Sequence, residues 1–292
     1  MIDFFVGLCY TLNMIYKVKT DKLIINNTQD FNPKHICECG QMFRFFVDEN
    51  NNYTVVSGAQ VAKIVKVQNG YEILTTNPQY FVNYFDLDFD YAKAKQTLSA
   101  YEQLKPAIDA GGGIRVVNGD PIENIFEFII SANNNIKRIQ KIVEKLCEIG
   151  EDINSPFGKF KAFPSAEKLA SMPLEWYNTL GAGYRAKYLK ETADYLKSVD
   201  ISEIEALPSD KLYKWLINLK GVGPKVASCI LLFGFSRREY FPVDTWVEQV
   251  YNNHFYQGDK TRKQIQEYFQ NMFKGLSGIA QQYLFNMERN GE

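Results

Sequence analysis

The chain has 292 residues, 33 Lys plus Arg against 34 Asp plus Glu, and a formal net charge of −1. Hydrophobic residues make up 46% of it and charged residues 23%, the balance of an ordinary globular protein with two or three domains. A protein that coats DNA or RNA carries a large positive excess, so the composition excludes that class. Any nucleic-acid binding must therefore use a local patch.

The sequence shows no sign of export or membrane insertion. No apolar run reaches the roughly 18 residues that a membrane span requires. Residues 1–16 are apolar, but Asp3 lies where a signal peptide carries positive charge. The five cysteines are scattered and odd in number, which argues against a disulfide framework. We therefore expect a cytoplasmic protein without membrane contact.

The first third of the chain is typical of antiparallel β structure. Short β-prone runs alternate with turns, and the pair Asn69-Gly70 suits a type I′ hairpin. The runs cover residues 43–48, 53–56, 60–67 and 71–75. We expect a small antiparallel β domain over residues 1–90.

From about Tyr91 the hydrophobic pattern becomes helical. Asp90 can cap a first helix, and three glycines at 111–113 break the chain after it. Further helices are predicted at 121–132, 136–149, 165–171, 185–199, 209–218, 225–234, 245–253, 260–272 and 277–287. The sequence thus predicts an α+β protein in which the sheet packs on a larger all-α domain over residues 91–292, with a cleft at the junction.

The strongest local signal is a turn between two predicted helices, with the sequence Gly221-Val222-Gly223-Pro224-Lys225. Its glycines permit a tight turn, and N–H groups at the start of the second helix favour an anion such as a DNA phosphate. The same pattern also fits a plain helix corner with a glycine C-cap. The turn alone does not decide between these two interpretations.

Lys225 and Asp244 are candidate catalytic residues. An ammonium in the first turn of a helix is electrostatically unfavourable, which favours the neutral, nucleophilic amine. Asp244 follows Phe241-Pro242-Val243 and precedes the next predicted helix, so it can cap that helix and also face the same cleft. The alternative for Lys225 is an exposed lysine without a role.

These residues resemble the helix-hairpin-helix superfamily of DNA glycosylases, which excise damaged bases. Longer segments in the same chain order resemble the eukaryotic-type 8-oxoguanine DNA glycosylases; they are residues 37–45, 113–121, 126–139, 181–188 and 281–285. The resemblance implies that Lys225 attacks the sugar C1′ to form a Schiff base and that Asp244 stabilises the developing positive charge. It also implies that the base is flipped out of the duplex.

The resemblance implies further contacts with the DNA. The Gly40 carbonyl would accept from N7–H of 8-oxoguanine, Gln281 would contact the Watson–Crick edge, and Cys229 and Phe285 would sandwich the base. The residues expected to contact the rest of the DNA are Asn133, Asn135, Arg138, Tyr184, Arg185, Gly221, Val222 and Gly223. Asn133 and Arg138 would contact the opposite cytosine, and Tyr184 and Arg185 would wedge into the stack. The carbonyls of Ile217, Leu219 and Val222 would hold a structural cation.

Two positions depart from the family pattern. Trp246 stands where histidine often lies near a DNA phosphate, and Phe233 stands where a smaller methionine is expected in the base pocket. No cysteine follows Cys229, so a C-terminal iron–sulfur cluster is excluded. His35, Cys37 and Cys39 would share one face of a strand, but four zinc ligands are not available. We expect neither a catalytic metal nor a cofactor.

The sequence therefore predicts a monomeric glycosylase and lyase that removes 8-oxoguanine opposite cytosine from double-stranded DNA. We expect it in the cytoplasm, associated with the nucleoid if the source is bacterial, or in the nucleus if the source is eukaryotic. The alternatives are a glycosylase for another lesion, such as an alkylated purine, and a non-catalytic module that uses the hairpin only to bind phosphates.

Overall fold

Six antiparallel strands form a sheet in the order β1-β2-β6-β5-β4-β3. The computed structural model describes residues 16–26 and 28–291, so the prediction for residues 1–16 lies outside the described residues except at Tyr16. The strands are β1 (Tyr16–Val18), β2 (Lys22–Ile25), β3 (Phe45–Val47), β4 (Tyr53–Ser57), β5 (Gln60–Val67) and β6 (Gly70–Thr75). No helix within the described ranges is long and apolar enough to cross a bilayer.

One buried row of side chains crosses the middle of this sheet. Leu23 pairs with Ile73, Ile73 with Ile64, and Ile64 with Tyr53, and all four are almost fully buried. Two helices contribute Ile36 and Phe81 to the same core; they are α1 (Pro33–Glu38) and α2 (Pro78–Tyr84). Aliphatic and aromatic residues therefore cover one face of the sheet with a hydrophobic cluster.

Two local predictions in this part of the chain are wrong. Gly70 pairs with Val67, so the hairpin loop is Gln68-Asn69, and neither loop residue has the positive φ that a type I′ turn requires. Residues His35 and Cys37 lie on α1, and Cys39 ends it, rather than sharing a strand face. Asn32 caps the start of this helix: its side chain accepts from the Lys34 N–H at 3.0 Å, and Pro33 follows as the first helical residue.

The rest of the chain is mainly helical. Its helices are α3 (Tyr91–Leu98), α4 (Lys105–Gly111), α5 (Pro121–Ser131), α6 (Ile136–Cys147), α7 (Ala166–Ser171), α8 (Leu174–Thr179), α9 (Arg185–Leu196), α10 (Ile201–Glu205), α11 (Ser209–Ile217), α12 (Pro224–Phe233), α13 (Thr245–His254), α14 (Arg262–Phe273) and α15 (Ser277–Asn290). An unpredicted hairpin of β7 (Asp152–Ser155) and β8 (Gly158–Lys161) lies among them. The α+β class is confirmed, and the domain boundary at residue 90 stays a prediction.

Buried polar side chains join the sheet to the helices. The fully buried Arg115 donates to the carbonyl oxygens of Phe85 at 2.8 Å and Phe89 at 3.1 Å. Gln41 donates to the Arg115 carbonyl at 2.8 Å and accepts from the Val117 N–H at 3.0 Å. Because a buried polar group needs its partners, these bonds fix the loop around Gly40 relative to the helical part.

Candidate active site

The hairpin between α11 and α12 uses its two glycines differently. Gly221 has φ +82°, and a β-carbon there would lie 2.7 Å from Cδ2 of Tyr188 on α9. Gly223 is exposed, and a β-carbon there would have no neighbour within 4 Å. The first glycine is therefore needed for close packing, and the second leaves the start of α12 open to an approaching molecule.

Lys225 lies in the first turn of α12, half-buried, one helical turn before Cys229. Its Nζ is 5.7 Å from the centre of the Phe128 ring, within the range of a cation–π contact. Burial raises the pKa of the Cys229 thiol, while the charge of Lys225 and its hydrogen bond lower it and Asp244 raises it further. The two predicted catalytic residues therefore both lie close enough to Cys229 to influence the pKa of its thiol.

Asp244 caps α13 and is half-buried. Its Oδ1 accepts from the N–H groups of Trp246 at 3.0 Å and Val247 at 3.1 Å. Its second oxygen takes no hydrogen bond in the described part of the chain. The cap fixes the position of the carboxylate, and the free oxygen can stabilise positive charge that develops on a substrate.

An aromatic stack lies beneath Lys225. The Phe128 ring stacks on Phe233 with centroids 5.5 Å apart and meets Phe43 edge-on at 5.7 Å. Phe233 is almost fully buried, so its ring, which is larger than the expected methionine, packs against Phe128 rather than being exposed at a surface. This packing gives the lysine an apolar floor.

The predicted base-recognition residues come from distant parts of the chain. A β-carbon on Gly40, where φ is +85°, would lie 3.6 Å from Cε1 of Phe285 and 3.7 Å from Cδ1 of Ile136. Phe285 is half-buried on α15, and Gln281, one turn earlier, is almost fully buried and accepts from Gln282 at 2.7 Å. The fold thus brings Gly40 and Phe285 into contact although 245 positions separate them in the sequence.

The loop before α6 presents polar side chains next to this contact. Asn133 is exposed with φ 51°, a conformation that asparagine tolerates better than most residues. Asn135 caps α6 by accepting from the Arg138 N–H at 3.0 Å. The exposed Arg138 guanidinium donates to the Gly181 carbonyl at 3.0 Å. All three side chains are exposed, and Asn135 in addition caps α6, so their contacts with DNA stay predictions.

Tyr184 and Arg185 differ sharply in their surroundings. Tyr184 is 58% exposed, whereas Arg185 is 3% exposed. Arg185 donates to the carbonyl oxygens of Ala132 at 2.8 Å and Asn133 at 2.7 Å. Arg185 is therefore placed to hold the Asn133 loop rather than to enter a base stack, and intercalation stays a prediction for Tyr184 alone.

Trp246 is the second residue of α13, close to Asp244 in sequence, and its side chain is 38% exposed. At the hairpin, the Leu219 carbonyl accepts from the Val222 N–H at 3.1 Å. The carbonyl oxygens of Ile217 and Val222 accept no hydrogen bond from the residues described. These two oxygens fit the hard-donor chemistry of a cation site, and no group of three or more His, Cys, Asp or Glu side chains within the described ranges forms another one.

Three residues at the site were not predicted from sequence. Phe128 supports Lys225, Gln41 anchors the loop of Gly40, and Arg289 on α15 contacts both Gly40 and Phe285. Gln41 and Phe128 lie within segments that carried the family resemblance, so the signal was present there. Arg289 lies beyond them, and an arginine in the last turn of a helix ordinarily indicates only a favourable dipole interaction.

Comparison with known proteins agrees with this geometry. Residues 23–125 match the N-terminal domain of 8-oxoguanine DNA glycosylase. Residues 126–274 match the HhH-GPD superfamily of base excision DNA repair proteins, the class that the hairpin and its lysine define. The chain therefore belongs to the 8-oxoguanine DNA glycosylase family of the HhH-GPD superfamily.

Individual relatives cover most of the chain. The "Probable N-glycosylase/DNA lyase" of Methanothermobacter thermautotrophicus is 32% identical over 70% of this chain and 72% of its own length. The N-glycosylase/DNA lyase of Saccharomyces cerevisiae is 30% identical over 80% and 70%. The Clostridium acetobutylicum 8-oxoguanine glycosylase/lyase, solved with double-stranded DNA that contains cytosine opposite 8-oxoguanine, superposes with a TM-score of 0.88 at 36% identity, over 95% of this chain and 98% of that one.

Proposed function

We propose that this chain is a bifunctional enzyme that removes 8-oxoguanine opposite cytosine from duplex DNA and then cleaves the strand at the resulting abasic site. The observation that carries the proposal is the placement of Lys225 beside the open start of α12, with Asp244 and Cys229 in the same site. The likeness to the Clostridium acetobutylicum glycosylase/lyase over nearly the whole chain supports it.

The chemistry requires a nucleophile and a charge-stabilising group. The neutral amine of Lys225 attacks the sugar C1′, and the bond from C1′ to the base nitrogen breaks with its electron pair leaving on the base, which takes up a proton. The capped Asp244 carboxylate stabilises the positive charge on the sugar. The sugar ring then opens to a Schiff base on Lys225, and loss of a C2′ proton expels the 3′ phosphate and nicks the strand.

Recognition of the flipped base is assigned to the Gly40 and Phe285 contact. The Gly40 carbonyl accepts from N7–H, which guanine lacks, and Phe285 and Cys229 stack on the two faces of the base. Gln281 serves the Watson–Crick edge, and Phe233 shapes the pocket from below through Phe128. A pocket that pairs its polar groups with the lesion discriminates well, because guanine leaves them unpaired.

Binding to the rest of the duplex is assigned to two exposed regions. Asn133 and Arg138 contact the opposite cytosine, with Tyr184 as the wedge. The hairpin of Gly221, Val222 and Gly223 binds a phosphate, which Trp246 contacts from the start of α13, and the carbonyls of Ile217, Leu219 and Val222 hold a structural cation. We further propose that the enzyme acts as a monomer and that it is located where the DNA is.

The proposal is tested with labelled duplexes that carry 8-oxoguanine opposite each of the four bases. Wild type should release 8-oxoguanine and nick the strand fastest opposite cytosine, and Lys225→Gln should abolish both products while DNA binding persists. Release of 3-methyladenine without 8-oxoguanine would instead support the alkylated-purine alternative. Binding without any product would support the non-catalytic module.

A further inference from the structure

Arg289 contacts both of the groups to which base recognition is assigned. Its Nη1 lies 3.1 Å from the position that a β-carbon would take on Gly40, and its guanidinium carbon lies 5.4 Å from the centre of the Phe285 ring. Its Nη2 donates to the carbonyl of Glu38, two residues before Gly40. One planar side chain therefore ties the Gly40 turn to α15.

The Nη1 nitrogen of this guanidinium is buried and has no hydrogen-bond partner among the residues described. Leaving a buried, charged donor unsatisfied is costly, and an arginine at a helix C-terminus ordinarily extends its head into water. Burial raises the pKa of the Cys39 thiol to about 12, and the charge of Arg289 is the largest influence that opposes this shift. The guanidinium is thus half-buried, with Nη1 packed against the turn that contains Gly40.

8-Oxoguanine carries hydrogen-bonding groups that can pair with the Gly40 carbonyl and with Nη1 of Arg289. 8-Oxoguanine carries an N–H donor at N7 and an oxygen acceptor on the adjacent C8, whereas guanine carries an acceptor at N7 and only C–H at C8. An acceptor carbonyl beside a free guanidinium N–H matches the first pattern and leaves both protein groups unpaired with the second. Charge-assisted bonds of this kind are stronger than neutral ones.

We propose that Arg289 is a specificity-determining residue that holds the Gly40 turn against Phe285 and donates its free Nη1–H to the C8 oxygen of the flipped base. This inference rests on the proposed function. The φ of +85° already favours glycine at position 40, and a side chain there would also require the guanidinium to shift.

The test measures binding in a Lys225→Gln background, so that no duplex is cleaved. Three duplexes are compared, each with cytosine in the opposite strand, and they carry 8-oxoguanine, guanine or a tetrahydrofuran abasic analogue. Arg289→Ala should weaken binding of the 8-oxoguanine duplex about tenfold or more. Binding of the abasic duplex should change less than twofold, because no base occupies the pocket. The affinity of Arg289→Lys for the 8-oxoguanine duplex should lie between those of Arg289→Ala and the parent protein.

Arg237→Ala is the matched control. Arg237 also donates to main-chain carbonyls, those of Glu205 and Leu207, and it also has a buried nitrogen without a partner. Its loss should leave the ratio of 8-oxoguanine to guanine affinity unchanged.

The outcomes separate the inference from the function on which it rests. An unchanged affinity ratio in Arg289→Ala, or an equal loss for the abasic duplex, would overturn the role of Arg289 and leave the proposed function standing. If the parent Lys225→Gln protein itself does not prefer 8-oxoguanine over guanine, the proposed function and the inference both fail.

Discussion

The hairpin glycines offer a matched pair of substitutions. In Gly221→Ala, a β-carbon is forced into the left-handed region at φ +82° and lies 2.7 Å from the Tyr188 ring. The backbone strain costs about 1–2 kcal/mol and the overpacking about 1–3 kcal/mol, so we expect a loss of about 2–5 kcal/mol. For a chain of this length, that loss lowers the melting temperature by about 3–8 °C.

Gly223→Ala is the control for this calculation. Its φ is −93° and a β-carbon there meets nothing within 4 Å, so the melting temperature should stay near that of wild type. The weaker N-cap and the stiffer unfolded chain have opposite and similar effects on stability. DNA binding should nevertheless weaken, because the methyl group lies where the backbone is open to a phosphate.

The assays are thermal and urea unfolding of both variants, together with binding to an abasic-analogue duplex. The result that would refute the reasoning is a Gly221→Ala protein as stable as wild type, or a Gly223→Ala protein that is destabilised as much as Gly221→Ala. Equal, unimpaired DNA binding in both variants would remove the hairpin from the proposed interface.

Two further predictions concern the buried charges and the opposite strand. Burial raises the pKa of Glu127, and the nearby Glu123 raises it further while Arg44 lowers it. A carboxyl with a raised folded-state pKa destabilises the fold as pH rises above its unfolded value of about 4.3. The gain in stability of Glu127→Gln over wild type should therefore grow between pH 5 and pH 8, and a gain independent of pH in urea unfolding would contradict this. Arg138→Ala, which loses only an exposed bond to Gly181, should relax the preference for opposite cytosine in single-turnover excision without a change in melting temperature, and an intact preference would count against Arg138.

Much of the helical part was predictable because its helix starts are marked in the sequence. Asp90, Asp120 and Asn135 each cap the helix that follows them, as their side-chain chemistry predicts. The two strands β1 and β2 were missed because they are three and four residues long and carry lysines. The hairpin of β7 and β8 was missed because only four residues pair on each side of its turn.

The site residues also fall into those that local sequence marks and those that only tertiary packing brings together. Lys225 and Asp244 stand out locally, since glycines, a helix start and a capping carboxylate mark them. Gly40 and Phe285 were accessible only through the family resemblance, because their contact depends on tertiary packing across the chain. The burial of Arg185 was not predicted for a related reason, since its partners lie more than fifty residues earlier in the chain.

The most direct test of the central claim is to map the covalent bond. Wild-type protein is incubated with a duplex containing 8-oxoguanine opposite cytosine in the presence of borohydride, and the trapped complex is digested and analysed by mass spectrometry. We predict a reduced sugar adduct on the peptide that carries Lys225. An adduct on another amine, or no adduct while 8-oxoguanine is released, would contradict the assignment of Lys225 as the nucleophile.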